Sequence, residues 1–168
     1  MAGIYALAGA YIAWSILDFN PDEIVYTINN LPQLIILAIL ILILAVGTAI
    51  ILSSRNANKR GENIWNPTSR RLLTSMAVPL FAGGILILIF ISKDLIGLIT
   101  PLTLVFYGIA LYNGSKFTYD IIKFLGMIQI GLGLISSYFI EYGLIFWAIG
   151  FGVGHIVYGI FMHFRYER

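Results

Sequence analysis

Residues 34–52 read LIILAILILILAVGTAIIL, with no charged side chain and with Thr48 as the single polar one. A stretch of this length, helical at about 1.5 Å per residue, matches the roughly 30 Å of hydrocarbon in a bilayer. Nothing in it alternates or breaks, so it reads as a membrane-crossing helix rather than as a buried strand.

Working outward, the same reading repeats. Six apolar runs, at 2–17, 31–52, 72–91, 95–112, 121–140 and 143–164, are separated by nearly every charged residue in the chain. Lys123 falls inside the fifth run, close enough to its start to snorkel outward. The expected fold is therefore an all-α polytopic membrane protein, one integral domain of six transmembrane helices. Composition agrees: 60% of the 168 residues are hydrophobic and 11% charged, against about 45–50% and 25% in an ordinary globular domain. The polar shell of a soluble domain cannot be built from that supply, and disorder is excluded by the same figures.

The first run is the weakest, because 16 residues fall short of the roughly 20 that a spanning helix needs. It has no basic n-region, although Ala13-Trp14-Ser15 loosely imitates a signal-peptide cleavage site, so a retained helix is expected.

Charge placement tests the count independently. If six helices alternate, Arg55, Lys59, Arg60, Arg70, Arg71, Lys116, Lys123, Arg165 and Arg168 share one side and Lys93 stands alone on the other. By the positive-inside rule the crowded side is the cytoplasm, with both termini there, in a plasma (inner) membrane. The acids lean the other way: Asp18, Asp22, Glu23, Asp94 and Glu141 face outside, while Glu62, Asp120 and Glu167 remain inside. Outside connections are short except 18–30, where Pro21 and Pro32 bracket an Ile24-Val25-Tyr26 segment apolar enough to lie in the interface. Trp14, Trp65 and Trp147 are expected as interfacial anchors.

The last four runs resemble two copies of a helical hairpin. Phe106-Tyr107-Gly108-Ile109 matches Val157-Tyr158-Gly159-Ile160, and Gly84-Ile85-Leu86 matches Gly133-Leu134-Ile135. With two helices between the copies the repeat is parallel. Duplication and chance use of one small alphabet both account for it. Packing faces are expected at Ala2, Ala6 and Ala10, at Gly126, Gly131 and Gly133, and at Gly150, Gly152, Gly154 and Gly159, since small residues let helices approach in lipid. Contacts within the chain are the expected use, and self-association into a homo-oligomer is the other.

Deep polar residues are the functional pointers of a membrane protein. Thr103, Gln129 and His155 fall within about one turn of the midplane on three successive helices; with Tyr107 and Tyr158 they are the candidates for a ligand site or pore. Interhelical hydrogen bonding is the plainer account of them, and Thr103 can satisfy itself on its own backbone. No Asp or Glu lies deep in a run, which argues against ion-coupled transport. Pro79 and Pro101 are expected to interrupt the third and fourth helices.

Enzyme chemistry has little to stand on. There is no cysteine and no zinc, P-loop or nucleophile-elbow motif; Ser136 and Ser137 lack a base and an orienter. His155 and His163 are about 12 Å apart along a helix and cannot share a metal. No cofactor is expected, and a net charge of +2 gives no field for nucleic acid. The longest polar connection, the cytoplasmic loop 53–71, offers Trp65, Arg55, Lys59, Arg60, Arg70 and Arg71 to anionic headgroups or to a cytosolic protein partner, with Thr68 or Ser69 capping the next helix.

Trp65-Asn66-Pro67-Thr68-Ser69-Arg70-Arg71, followed by Gly83-Gly84, Phe106-Tyr107-Gly108, the stretch from Gly143 to Gly152, His155 and Tyr158-Gly159, resembles a family of small bacterial inner-membrane proteins of unknown function. The resemblance runs from the first helix to the tail. It implies a polar, amphipathic stretch upstream of Met1, and it transfers no catalytic residue. More distantly, glycine and aromatic placement resembles the six-helix acid-resistance membrane protein family. The function expected is that of a non-enzymatic interaction, regulatory or stress-related membrane component; the alternative is a small-molecule transporter or channel with a polar midplane cavity.

Overall fold

The computed structural model describes residues 1–17, 31–59, 61 and 65–166. The connection 18–30, Arg60, Glu62, Glu167 and Arg168 lie outside the described residues, so the interfacial segment expected at 24–26 does too.

Every regular element among the described residues is helical. The order is α1 (Ala2–Leu17), α2 (Leu31–Lys59), α3 (Pro67–Ile91), α4 (Ile99–Gly114), α5 (Asp120–Tyr138), α6 (Gly143–Trp147), a π-helical segment (Ala148–Gly154) and α7 (His155–Tyr166). The segments from 140 to 165 make one continuous span, and Ile96–Phe117 another. Five spans are long and apolar enough to cross a membrane, while α1, at 16 residues or about 24 Å, is shorter than the hydrocarbon.

Three expectations are corrected. The loop 53–71 is much shorter than the polar composition implies: α2 continues to Lys59 and α3 begins at Pro67. An apolar run measures the bilayer, not the helix, and a helix whose backbone bonds are internal runs on into water without penalty. The cap of α3 is Asn66, not Thr68 or Ser69; its Oδ1 accepts from the Ser69 amide at 2.8 Å. Pro67 then takes the first helical position, where a missing N–H costs nothing. Pro101 does not interrupt α4 but sits in its first turn, whose amides have no helical acceptor anyway. Pro79 does lie inside α3, which runs through it.

Packing fixes direction. A Cβ on Gly83 would meet Phe106, and one on Gly114 would meet Leu72 and Met76, so α3 and α4 are antiparallel. Gly108 lies on Gly126 and Gly133 on Pro101 and Val105, so α5 returns antiparallel to α4. The chain from Gly143 to His155 runs parallel to α4, as Gly143 faces Thr100 and Gly150 faces Leu104. Gly3 abuts the Gly152 carbonyl and Ile156, and Leu7 abuts Gly152, so α1 runs antiparallel to the last span and begins level with its middle. The end of the bundle where α7 finishes carries Arg70, Arg71, Lys116, Lys123 and Arg165; Lys93, Asp94 and Glu141 lie at the other, where the 3-10 turns Ile96–Leu98 and Ile140–Tyr142 touch.

The inside of the bundle is small and the outside large. The buried apolar residues are Ala6, Ala10, Ala13, Leu104, Ala110, Leu111 and Leu125, whereas Ile36, Leu42, Ile43, Phe81 and Leu88 are each more than 60% exposed. α2 buries none of its residues and rests on α1, where Ile41 packs on Gly9. So much contiguous apolar surface would not stay dissolved in water; hydrocarbon solvates it. The small-residue faces at Ala6, Ala10, Gly126, Gly133, Gly150 and Gly152 are all used within the chain, while Gly84, Gly131 and Gly159 meet no described atom that a Cβ would touch. Gly84 and Gly133, equated by the hairpin repeat, therefore have different surroundings.

Candidate functional site

The site begins with a helix that loses its register. Residues 148–154, AIGFGVG, wind as a π-helix, a rare form that concentrates at functional positions. Three glycines in seven residues weaken the ordinary α-register by about 1 kcal/mol each relative to alanine. They also admit neighbours from two sides: a Cβ on Gly150 would stand 2.5 Å from Gln129 Oε1 and 2.6 Å from Leu104, and one on Gly152 would collide with Leu7 of α1.

The carbonyl of Gly150 is the centre of a side-chain network. Gln129 Nε2, from α5, donates to it at 2.9 Å in a fully buried setting. Nδ1 of His155 approaches the same oxygen at 3.3 Å. A carbonyl only accepts, so Nδ1 carries the proton and the neutral ring is left with Nε2 as acceptor. The Tyr107 hydroxyl, from α4, donates to that nitrogen at 2.8 Å. Tyr107, Phe151 and His155 pack ring on ring, with Phe151 parallel to the imidazole within 6° and Trp147 against Phe151 at 5.0 Å. Tyr158, one turn beyond His155, is within electrostatic reach of Tyr107.

Three of the five residues singled out for a ligand or pore thus join one network, Gln129 and His155 at the Gly150 oxygen itself and Tyr107 through the imidazole. Thr103 does not join them by a hydrogen bond; its hydroxyl donates to Thr100 O at 2.7 Å on its own helix. Two buried polar atoms find no partner among the described residues, Gln129 Oε1 and Ser136 Oγ, both on side chains with no exposed surface. They lie two turns apart on one face of α5, about 10 Å, too far for one small group to serve both.

Chemically the cluster holds one imidazole in one tautomer, fills the space between α4, α5 and the π turn with side chains, and leaves one amide oxygen for a donor. It contains no carboxylate. Among the described residues no three His, Asp or Glu side chains gather to hold a metal.

The surface candidates are at the basic end. Arg55 and Lys59 ride on the polar extension of α2, Trp65 is 64% exposed just ahead of α3, and Arg70 and Arg71 are exposed on its first turns. Arg60 is outside the described residues. Sequence reasoning missed the Gly150 carbonyl and the roles of Phe151 and Trp147. The signal was present in Gly150, Gly152 and Gly154, but it reads equally as a packing face.

Comparison with protein-family models, curated proteins and solved structures finds no match.

Proposed function

We propose that this chain is a non-enzymatic component of a bacterial plasma membrane, threaded with both termini in the cytoplasm, that works in a regulatory or stress-related role by interaction through its basic end. The observation that carries this reading is the position of Arg70 and Arg71. They stand at the start of α3, whose first turn holds no acid. Exposed beside a turn that supplies no carboxylate, they are placed to meet something negative outside the helix: anionic headgroups, at about 1 kcal/mol per cation, or an acidic surface on a cytosolic protein. Lys116, Lys123 and Arg165 share that end of the bundle. The test is a scramble of residues 53–71 that keeps every charge, so that threading is undisturbed. Pull-down from native membranes is expected to lose a defined partner; an unchanged partner set removes the basis for a protein-binding role.

A second reading, passage of a proton or small polar molecule through the bundle, is favoured by one observation, the Tyr107–His155–Gly150–Gln129 chain at a π turn. Proteoliposomes with an internal pH dye would test it: flux abolished by Tyr107→Phe and His155→Ala supports passage, and no flux above empty vesicles ends it.

A further inference from the structure

Between α1 and the π segment lies a groove of about 260 Å3 lined by Leu7, Tyr11, Trp14, Ile145, Ile149 and Val153, with two alanines at its floor. It lies on the face of the last span away from Gly150, within membrane depth, and none of the network residues reaches it. We propose that this groove holds one acyl chain of a zwitterionic membrane phospholipid, with the headgroup at Tyr11 and Trp14.

Dimensions select the occupant. α1 and the π segment touch directly, Gly3 on the Gly152 carbonyl and Leu7 on Gly152, so the groove beside that contact is narrower than a packing helix, which is about 10–12 Å wide with its side chains. One hydrocarbon chain fits and a transmembrane helix does not. The lining is aliphatic except at the rim, where Tyr11 is 78% and Trp14 44% exposed. Those amphipathic rings prefer the headgroup level. Leu144 and Ile145, which line the groove with Trp14, follow directly on the turn Ile140–Tyr142 at the end of the bundle, so this end of the groove lies at the headgroup level rather than in the bilayer centre.

Charge selects the headgroup. The first 54 residues contain no Lys or Arg, and neither does the stretch 140–154. An anionic headgroup beside Tyr11 and Trp14 would find no Lys or Arg on either wall, while a phosphocholine or phosphoethanolamine is already neutral overall. The π segment forms one wall through Ile149 and Val153, so the lipid would brace the helix at the turn whose other face holds the Gln129 bond.

The test uses Trp14 as reporter. In a Trp65→Phe, Trp147→Phe background, the protein is reconstituted in phosphatidylcholine vesicles containing a chain-brominated phosphatidylcholine. Filling the groove with Ile149→Phe and Val153→Phe is expected to reduce Trp14 quenching at least twofold, while Leu134→Phe, on the outer face of α5, leaves it unchanged. Mass spectrometry of the protein released from micelles is expected to show one retained phosphatidylcholine or phosphatidylethanolamine on the parent and on Leu134→Phe, and none on the filled variant. Equal quenching in filled and open forms overturns the proposal. So does preferential retention of phosphatidylglycerol, or a dimer mass with no lipid.

Discussion

The Tyr107 hydroxyl donates to Nε2 of His155 at 2.8 Å, joining α4 to the last span across 48 residues of sequence. The bond is possible because the π turn brings His155 to the level of Tyr107 while Gly150, five residues earlier, turns its carbonyl to the other ring nitrogen. Both nitrogens are thereby occupied in the neutral ring, and the imidazole is held as a strut.

If the two side chains act as a pair, a double-mutant cycle with Tyr107→Phe and His155→Ala will show coupling of about 0.6 kcal/mol, and at most about 1.7. Unfolding equilibria in mixed micelles measure it. Additive single effects would show that the bond contributes nothing.

Gly150→Ala sets a methyl against Gln129 Oε1 and Leu104 and is expected to cost about 1–3 kcal/mol, the range for overpacking. Adding Gln129→Ala should recover part of this loss, since it removes one of the two obstacles. No recovery would place the damage in the π backbone instead.

Glycines on the α4–α5 crossing should differ sharply from those outside it. Gly126→Val drives a side chain into the Gly108 carbonyl and the backbone of Tyr112 and is expected to separate the pair. Gly131→Ala meets no described atom and is expected to stabilise by up to about 1 kcal/mol through helix propensity. Thermal aggregation in detergent orders the two variants; equal behaviour contradicts the packing.

The end of α3 is a Schellman turn closed by Leu95 N to Phe90 O at 2.9 Å and Asp94 N to Ile91 O at 3.1 Å, with Asp94 at φ 58°. Asp94→Gly relieves the left-handed strain and should raise stability by about 1 kcal/mol; Asp94→Val should lower it. At the other end of the helix, Asn66→Ala removes the cap and is expected to cost about 0.5–2 kcal/mol.

Threading is tested by single cysteines, as the chain has none of its own. Lys116→Cys and Arg70→Cys should react with an impermeant maleimide from the cytoplasmic face only, and Lys93→Cys from the opposite face. Labelling of positions 93 and 116 from one side would end the proposed topology.

The sequence by itself determined that lipid solvates this chain, where five of its helices are long and apolar enough to cross, and how its charges divide between two ends. Hydrophobicity and charge are properties of residues, so Leu34 to Leu52 or Arg70 and Arg71 act the same way whatever packs beside them. Boundaries outside the bilayer were less legible, as α2 running to Lys59 illustrates, because a polar helix and a polar loop share composition. The tertiary structure decided the rest: that Gln129 and His155 serve one carbonyl, that Thr103 turns back on its own helix, and that α1 lies against the π segment and leaves a groove there. Those outcomes depend on which glycine faces which neighbour and on a local change of helical pitch. Both arise only when helices distant in sequence compete for the same few ångströms.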